Sequence, residues 1–169
     1  MSGPSPPGEQ PVHTKESSKS FNGVFTAQNN AELEQAYDVW ADDYDDTIEN
    51  DLAGPGRSPS IEMMAVLTAV VPNGDKSIHC VLDCGAGTGA AGPLIVNAYG
   101  PLDALVAFDL SKGMLAQSKA RGCYSNLVQG ACPDVSAAAA HGPYDIAFCV
   151  GTFTPNHAPP STLPALVNA

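Results

Sequence analysis

The segment VLDCGAGTGAAG, residues 81–92, constrains the fold more than any other part of the chain. An apolar run ends in a carboxylate, Asp83, and glycine then takes every second position, at Gly85, Gly87 and Gly89, before a stretch of helical character. A strand that passes through a glycine-rich turn into a helix is a ligand-holding device. The glycines let the backbone approach a ligand closely, and the helix start offers unpaired N–H groups.

The sequence on either side of this turn predicts the sheet that carries it. Short apolar runs, SIHCVLDCG, ALVAFDL, NLVQGA and YDIAFCVG, alternate with helical stretches over residues 90–99, 111–122 and 134–141. Strands separated by helices of this length predict an α/β fold with a largely parallel sheet and helices on both faces. Burial on both faces accounts for strands that are nearly continuous apolar runs.

Upstream, Asn29 with Glu32 three residues later is a helix start of capping-box type, and Leu33, Ala36, Tyr37, Trp40 and Tyr44 recur at helical spacing. AGPGRSPS, residues 53–60, ends that helix. Ser58 and Pro59 can cap and open a second one bearing Ile61, Met64, Ala65, Leu67 and Val71. Residues 1–20 combine Pro, Gly, Ser and charge with almost nothing apolar, so a disordered tail is expected there. A chain of 169 residues leaves room for one compact domain beyond it.

Charge and cysteine content exclude several functions. The chain carries 7 basic and 18 acidic residues, a net charge of −11, and its basic residues do not cluster, so a nucleic-acid partner is not expected. The acid is densest in DDYDDTIEND, residues 42–51, where no His or Cys joins it and no calcium-loop spacing fits; a solvated helix face is expected there, and no metal. Cys80, Cys84, Cys123, Cys132 and Cys149 are odd in number and form no CxxC pair, which predicts reduced residues rather than disulfides or a zinc site. No apolar run approaches the roughly 18 residues of a membrane span. A soluble, unexported protein is expected, in the cytoplasm, with the nucleus as the alternative compartment.

The turn alone leaves its ligand open, because Gly85, Gly87 and Ala90 satisfy the dinucleotide pattern G-x-G-x-x-A. Asp83 argues against a dinucleotide: a carboxylate two positions before the first glycine faces a pyrophosphate with like charge. The same carboxylate attracts a cation, and S-adenosylmethionine carries an ammonium and a sulfonium with no phosphate. Its ribose needs a carboxylate at the end of the second strand, and Asp109 stands there, 20 residues beyond Gly89.

These residues together resemble the class I S-adenosylmethionine-dependent methyltransferases, whose D-x-G-x-G-x-G turn closes the first strand of a Rossmann-like sheet; here it reads Asp83, Gly85, Gly87 and Gly89. The resemblance runs from about residue 36 to residue 164. It includes DLSKGML, residues 109–115, similar to the acidic-strand motif of the ubiquinone- and small-molecule-type members. It implies that Asp83, Cys84 and Gly85 line the methionine end of the cofactor, that Asp109 binds the ribose, and that Leu110 and Met114 cover the adenine. Tyr37 and Tyr44, with Trp40, resemble the lid over cofactor and substrate; an ordinary packing stripe is the alternative, and for Trp40 an equal one. The implied organisation is a helical lid over residues 21–72 and a cofactor-binding half over residues 73–169.

The sequence departs from the family in two places. Many relatives carry an Asp for the adenine amino group at the end of the third strand, where Ala131 stands here, so adenine recognition falls to the backbone of Ala131 and Cys132 or to Asp134. Val150 at the end of the fourth strand completes the implied cofactor set. The family's sheet has seven strands, and this sequence ends after the fourth, so strands five to seven are expected to be missing. An uncovered fourth strand then invites self-association.

Methyl transfer needs alignment of nucleophile, methyl and sulfonium more than covalent help. His157, just after the fourth strand, is the one candidate general base, with an ordinary surface histidine as the alternative reading. The stretch after that strand reads VGTFTPN rather than an N-P-P-Y-like signature, and Cys132 precedes Pro133, so neither pattern of base methylation is present. A small-molecule acceptor is expected, with a protein side chain as the alternative. A nicotinamide-dependent oxidoreductase and an inactive ligand- or partner-binding fragment stay open as other functions.

Overall fold

A computed structural model describes residues 15–49, 59–70 and 78–169. Ahead of the sheet lie α1 (Lys15–Thr26), α2 (Asn30–Trp40), α3 (Tyr44–Thr47) and α4 (Pro59–Val70). Strands and helices then alternate: β1 (Cys80–Cys84), α5 (Gly92–Tyr99), β2 (Ala104–Asp109), α6 (Lys112–Ala120), β3 (Asn126–Gln129), α7 (Ser136–Ala139), β4 (Ile146–Phe148) and α8 (Thr162–Val167). The four strands form one parallel sheet in the order β3-β2-β1-β4. The strand that leads into the glycine turn, β1, is therefore internal, with Asp83 level with Ala107 on one side and Phe148 on the other.

The two-residue period of β1 and β2 divides the core. Val81 and Leu105 pack with Ile95 and Tyr99 of α5 and with Met64 of α4. Leu82, Cys84, Val106 and Phe108 point the other way, onto Val135 and Ala138 and the α8 residues Ala165 and Leu166. Helices cover both faces, and full burial of side chains such as Ile95 and Phe108 contributes roughly 1.5–3 kcal/mol each.

The N-terminal helices form a separate layer around Val24, Leu33 and Trp40. Asn29 caps α2 by accepting from the Glu32 amide at 3.0 Å, while Glu32 reaches back to the Gln28 amide at 2.9 Å, one residue earlier than in a standard capping box. Asp38 fixes α2 to α6: its Oδ1 accepts from Ser111 Oγ at 2.5 Å and from the Gly113 amide at 2.8 Å. A Cβ on Gly113 would lie 3.0 Å from Asp38 Cα, so glycine permits this approach.

Three boundaries differ from expectation. A helix, α1, begins at Lys15, inside the tail expected over residues 1–20. Its later turns dock Phe21 and Val24 on α2, and a helix nucleated there extends toward its N-terminus at little cost. The helix expected through Tyr44 breaks into α2 and α3, with Trp40 Nε1 donating to Thr47 Oγ1 at 3.2 Å and its ring meeting Tyr44 at 4.6 Å. The helix after the glycine turn starts at Gly92 rather than Ala90, because successive tight turns, Gly89 N to Ala86 O and Gly92 N to Gly89 O, carry the backbone two residues further. The rest of the expected tail, residues 1–14, and the cap Ser58 and Val71 of the second helix lie outside the described residues.

Candidate functional site

The carboxyl ends of β1 and β2 converge on a cavity of about 270 Å³, near the lower end of the roughly 300–1,000 Å³ range of small-molecule sites. Its floor is the glycine turn. Gly85, Gly87 and Gly89 have φ of 72°, 55° and 77°, in the left-handed region where a side chain is strained. A Cβ on Gly87 would meet nothing within 4 Å, so at this position the bare backbone faces open space. Gly89 is required by packing instead: a Cβ there would stand 2.8 Å from Tyr124 Cε2 and 2.9 Å from Ser118 Oγ.

Asp109 organises the turn across the sheet. Its Oδ2 accepts from the Gly87 amide at 2.8 Å and its Oδ1 from the Ser111 amide at 2.9 Å, while Ser111 caps α6. Burial pushes its carboxyl up, against the pull of the amides of Ser111, Gly87 and Leu110. Asp83 is 1% exposed and is held by the Tyr124 hydroxyl, which donates to Oδ2 at 2.6 Å. Burial pushes the Asp83 carboxyl up to about 6, the Tyr124 hydrogen bond opposes this, and the nearby Asp109 charge adds to it.

The opposite wall comes from the N-terminal layer and the segment after β4. Tyr37 and Tyr44 line the cavity, and burial pushes the Tyr44 hydroxyl up to about 12. Trp40 does not line it; the ring is 3% exposed and packs between α1 and α2. His157 Nδ1 lies 2.8 Å from the Pro155 carbonyl and donates to it, which leaves Nε2 to accept from the Tyr37 hydroxyl at 2.7 Å, a tautomer assigned from this network.

Of the residues the sequence singles out, Asp83, Gly85, Gly87, Asp109, Leu110, Met114, Ala131, Cys132, Val150, Tyr37, Tyr44 and His157 all line this one cavity. Two do not. Cys84 alternates with Asp83 along β1, so its side chain points to the other face, wholly buried, with Sγ 3.6 Å from Cys132 Sγ. Gly89 has turned away toward α6. Asp134, the alternative adenine partner, is outside the lining, and its Oδ1 accepts from the Ser136 amide at 3.0 Å at the start of α7.

Residues 81–169 match a family described as methyltransferase domain. The chain belongs to this family. No curated protein matches the chain in sequence. Among solved structures, DesVI of Streptomyces venezuelae is 20% identical, with 75% of this chain aligned to 49% of that one at a TM-score of 0.51. The SAM-bound amino pentose methyltransferase CalS10 of Micromonospora echinaspora is 20% identical, over 66% of this chain and 44% of that one, at 0.50. DhpI, in complex with SAM and HEP, is 18% identical, over 93% of this chain and 60% of that one, at 0.50. At such identities the likeness is one of fold, and the chain spans less than two thirds of each structure's length.

The methyltransferase domain also brings residues to the cavity that sequence reasoning missed. Asp45, expected on a solvated face, accepts from Thr88 Oγ1 at 2.6 Å and pairs with Arg121 Nη2, while Arg121 Nε donates to the Thr88 carbonyl at 3.1 Å. Asp45 adjoins Tyr44, and that adjacency was a usable signal. Arg121 and Thr88 carried none, because their meeting depends on how α6 packs against the turn. No helix among the described residues is long and apolar enough to cross a membrane.

Proposed function

We propose that this methyltransferase domain binds S-adenosylmethionine and supports methyl transfer to a small-molecule nucleophile. The observation that carries this reading is the buried Asp83 inside the glycine turn. A carboxylate there repels the pyrophosphate of a dinucleotide and attracts the sulfonium and ammonium of S-adenosylmethionine. Asp109, at the end of the neighbouring strand, would accept from ribose hydroxyls on this reading, and Leu110 and Met114 would supply apolar cover for a base. CalS10 and DhpI, whose structures hold SAM, share the fold and support the same cofactor.

The chemistry asked of the domain is modest. The sulfonium is a good leaving group, and enclosure by Tyr37 and Tyr44 excludes water and fixes the line of attack. His157 is the proposed base. With Nδ1–H held by Pro155, its Nε2 takes a proton from the Tyr37 hydroxyl as that hydroxyl takes one from the acceptor. YDVWADDYD, residues 37–45, and VGTFTPNHAPPSTLPAL, residues 150–166, resemble the methyltransferase-like protein of the Williams-Beuren region, and on that resemblance we propose membership of that subfamily.

The test is transfer of labelled methyl from S-adenosylmethionine to the small-molecule and protein fractions of a cell extract, with Asp83→Ala as the control. Label in the small-molecule fraction that Asp83→Ala abolishes is the expected result. Label in protein would move the acceptor class to side chains. Cofactor binding without label in either fraction would make the chain a binding fragment.

A further inference from the structure

The walls of the cavity are acid-rich. Asp45, Glu49, Asp83 and Asp109 line it, and among the described lining residues Arg121 is the one permanent cation. This composition suits the sulfonium and ammonium of the proposed cofactor but leaves its third charge, the methionine carboxylate, facing four acids. A carboxylate in such surroundings needs a cation with donors in a planar fork, and guanidinium supplies both.

Arg121 is placed for that task. It follows the last residue of α6, and the Nε bond to the Thr88 carbonyl at 3.1 Å fixes the guanidinium beside the glycine turn, three residues beyond Gly85. Its Nη2 pairs with Asp45, whose other oxygen receives the Thr88 hydroxyl. Guanidinium has five N–H donors, so a second carboxylate can join without breaking the Nε anchor. The Arg121 side chain is 34% exposed and Asp45 42%, so the pair stands at the cavity rim, where a partner exchange needs no opening of the core.

We infer that Arg121 binds the carboxylate of the cofactor's amino-acid tail, with Asp45 as the acceptor it gives up. The inference rests on the proposed S-adenosylmethionine reading and assigns its carboxylate subsite. Asp45 opposes cofactor binding at this point rather than assisting it, and the two members of one ion pair therefore act with opposite sign.

The test is calorimetry on the full chain with S-adenosylhomocysteine and with its decarboxylated analogue, S-adenosyl-3-thiopropylamine. The ratio of the two dissociation constants isolates the carboxylate, because any general loosening of the lid weakens both ligands alike. The unsubstituted chain should prefer S-adenosylhomocysteine by on the order of 10- to 100-fold. Arg121→Gln should bring that ratio close to one, and Asp45→Asn should leave it unchanged or raise it. A ratio near one in the unsubstituted chain, equal weakening of both ligands by Arg121→Gln, or a fall in the ratio with Asp45→Asn would overturn the inference and leave the cofactor assignment standing. Failure of the unsubstituted chain to bind S-adenosylhomocysteine would overturn the proposed function, and this subsite with it.

Discussion

The Tyr124 hydroxyl donates to Asp83 Oδ2 at 2.6 Å across 41 residues of sequence, and this bond holds a buried carboxylate where β1 leads into the glycine turn. The bond favours the ionised form, burial disfavours it more strongly, and the carboxyl is pushed up to about 6. Below about pH 6 Asp83 is neutral and offers a cation little; a bound sulfonium or ammonium draws the proton off. S-adenosylmethionine affinity is expected to rise with pH through about 6, by up to about tenfold per unit on the acidic side, and to level off above it. Calorimetry between pH 5 and 8, in buffers of different ionisation enthalpy, checks both the slope and the proton release. Affinity independent of pH across that range would contradict the role given to Asp83.

The same shift makes a statement about stability. The folded carboxyl holds its proton more tightly than the unfolded one, whose ordinary value is 3.8, so ionisation opposes folding. The destabilisation is absent well below 3.8, grows as pH rises toward about 6, and is constant above that. Asp83→Asn keeps an acceptor for Tyr124 and removes the charge. Without ligand it is expected to be more stable by about 1–3 kcal/mol at pH 7, with the gain vanishing near pH 4, as followed by denaturant unfolding. It should bind S-adenosylmethionine more weakly than the unsubstituted chain.

The glycines of the turn should separate by mechanism. Gly89→Ala brings a Cβ to 2.8 Å from Tyr124 at a φ of 77° and is expected to cost about 2–4 kcal/mol through strain and overpacking. Gly87→Ala meets no atom, so only backbone strain of about 1–2 kcal/mol applies, yet its methyl projects where a ligand would approach. Unfolding midpoints and cofactor titration together check that Gly89→Ala harms stability more and Gly87→Ala harms binding more for each unit of stability lost.

Tyr37 and His157 share one hydrogen bond at 2.7 Å and should act as one unit. Tyr37→Phe and His157→Gln are each expected to lower methyl transfer by about 10²–10⁴-fold, with the double variant no slower than the worse single one. Single-turnover rates at saturating cofactor make the comparison. Additive losses would mean that the two residues work independently.

Much of this arrangement was legible because its signals are local. The carboxylate and glycines of residues 83–89 are a contiguous pattern, and the strand runs declare a buried parallel sheet in their own composition. Asp109 follows at the distance set by one crossover helix. Apart from Cys84, what was missed depends on how elements pack. Period-two alternation along β1 removes Cys84 from the cavity that Asp83 enters, a consequence readable from the strand itself. The contacts of Asp83 with Tyr124 and of Asp45 with Arg121 span 41 and 76 residues. Neither partner carries a pattern of its own, so only the packing of α6 and the N-terminal layer against the turn reveals them. Trp40 had equal claims as lid and as packing residue, and the position of α1 decided it: with Val24 and Leu33 around the indole, the ring is core.

The central claim is that the glycine turn of this methyltransferase domain holds a cationic nucleoside rather than a pyrophosphate. Titration calorimetry of the full chain at pH 7 with S-adenosylmethionine, S-adenosylhomocysteine and NAD tests it most directly. Saturable binding of the first two and none of NAD is the predicted result; binding of NAD with no response to S-adenosylhomocysteine would contradict it.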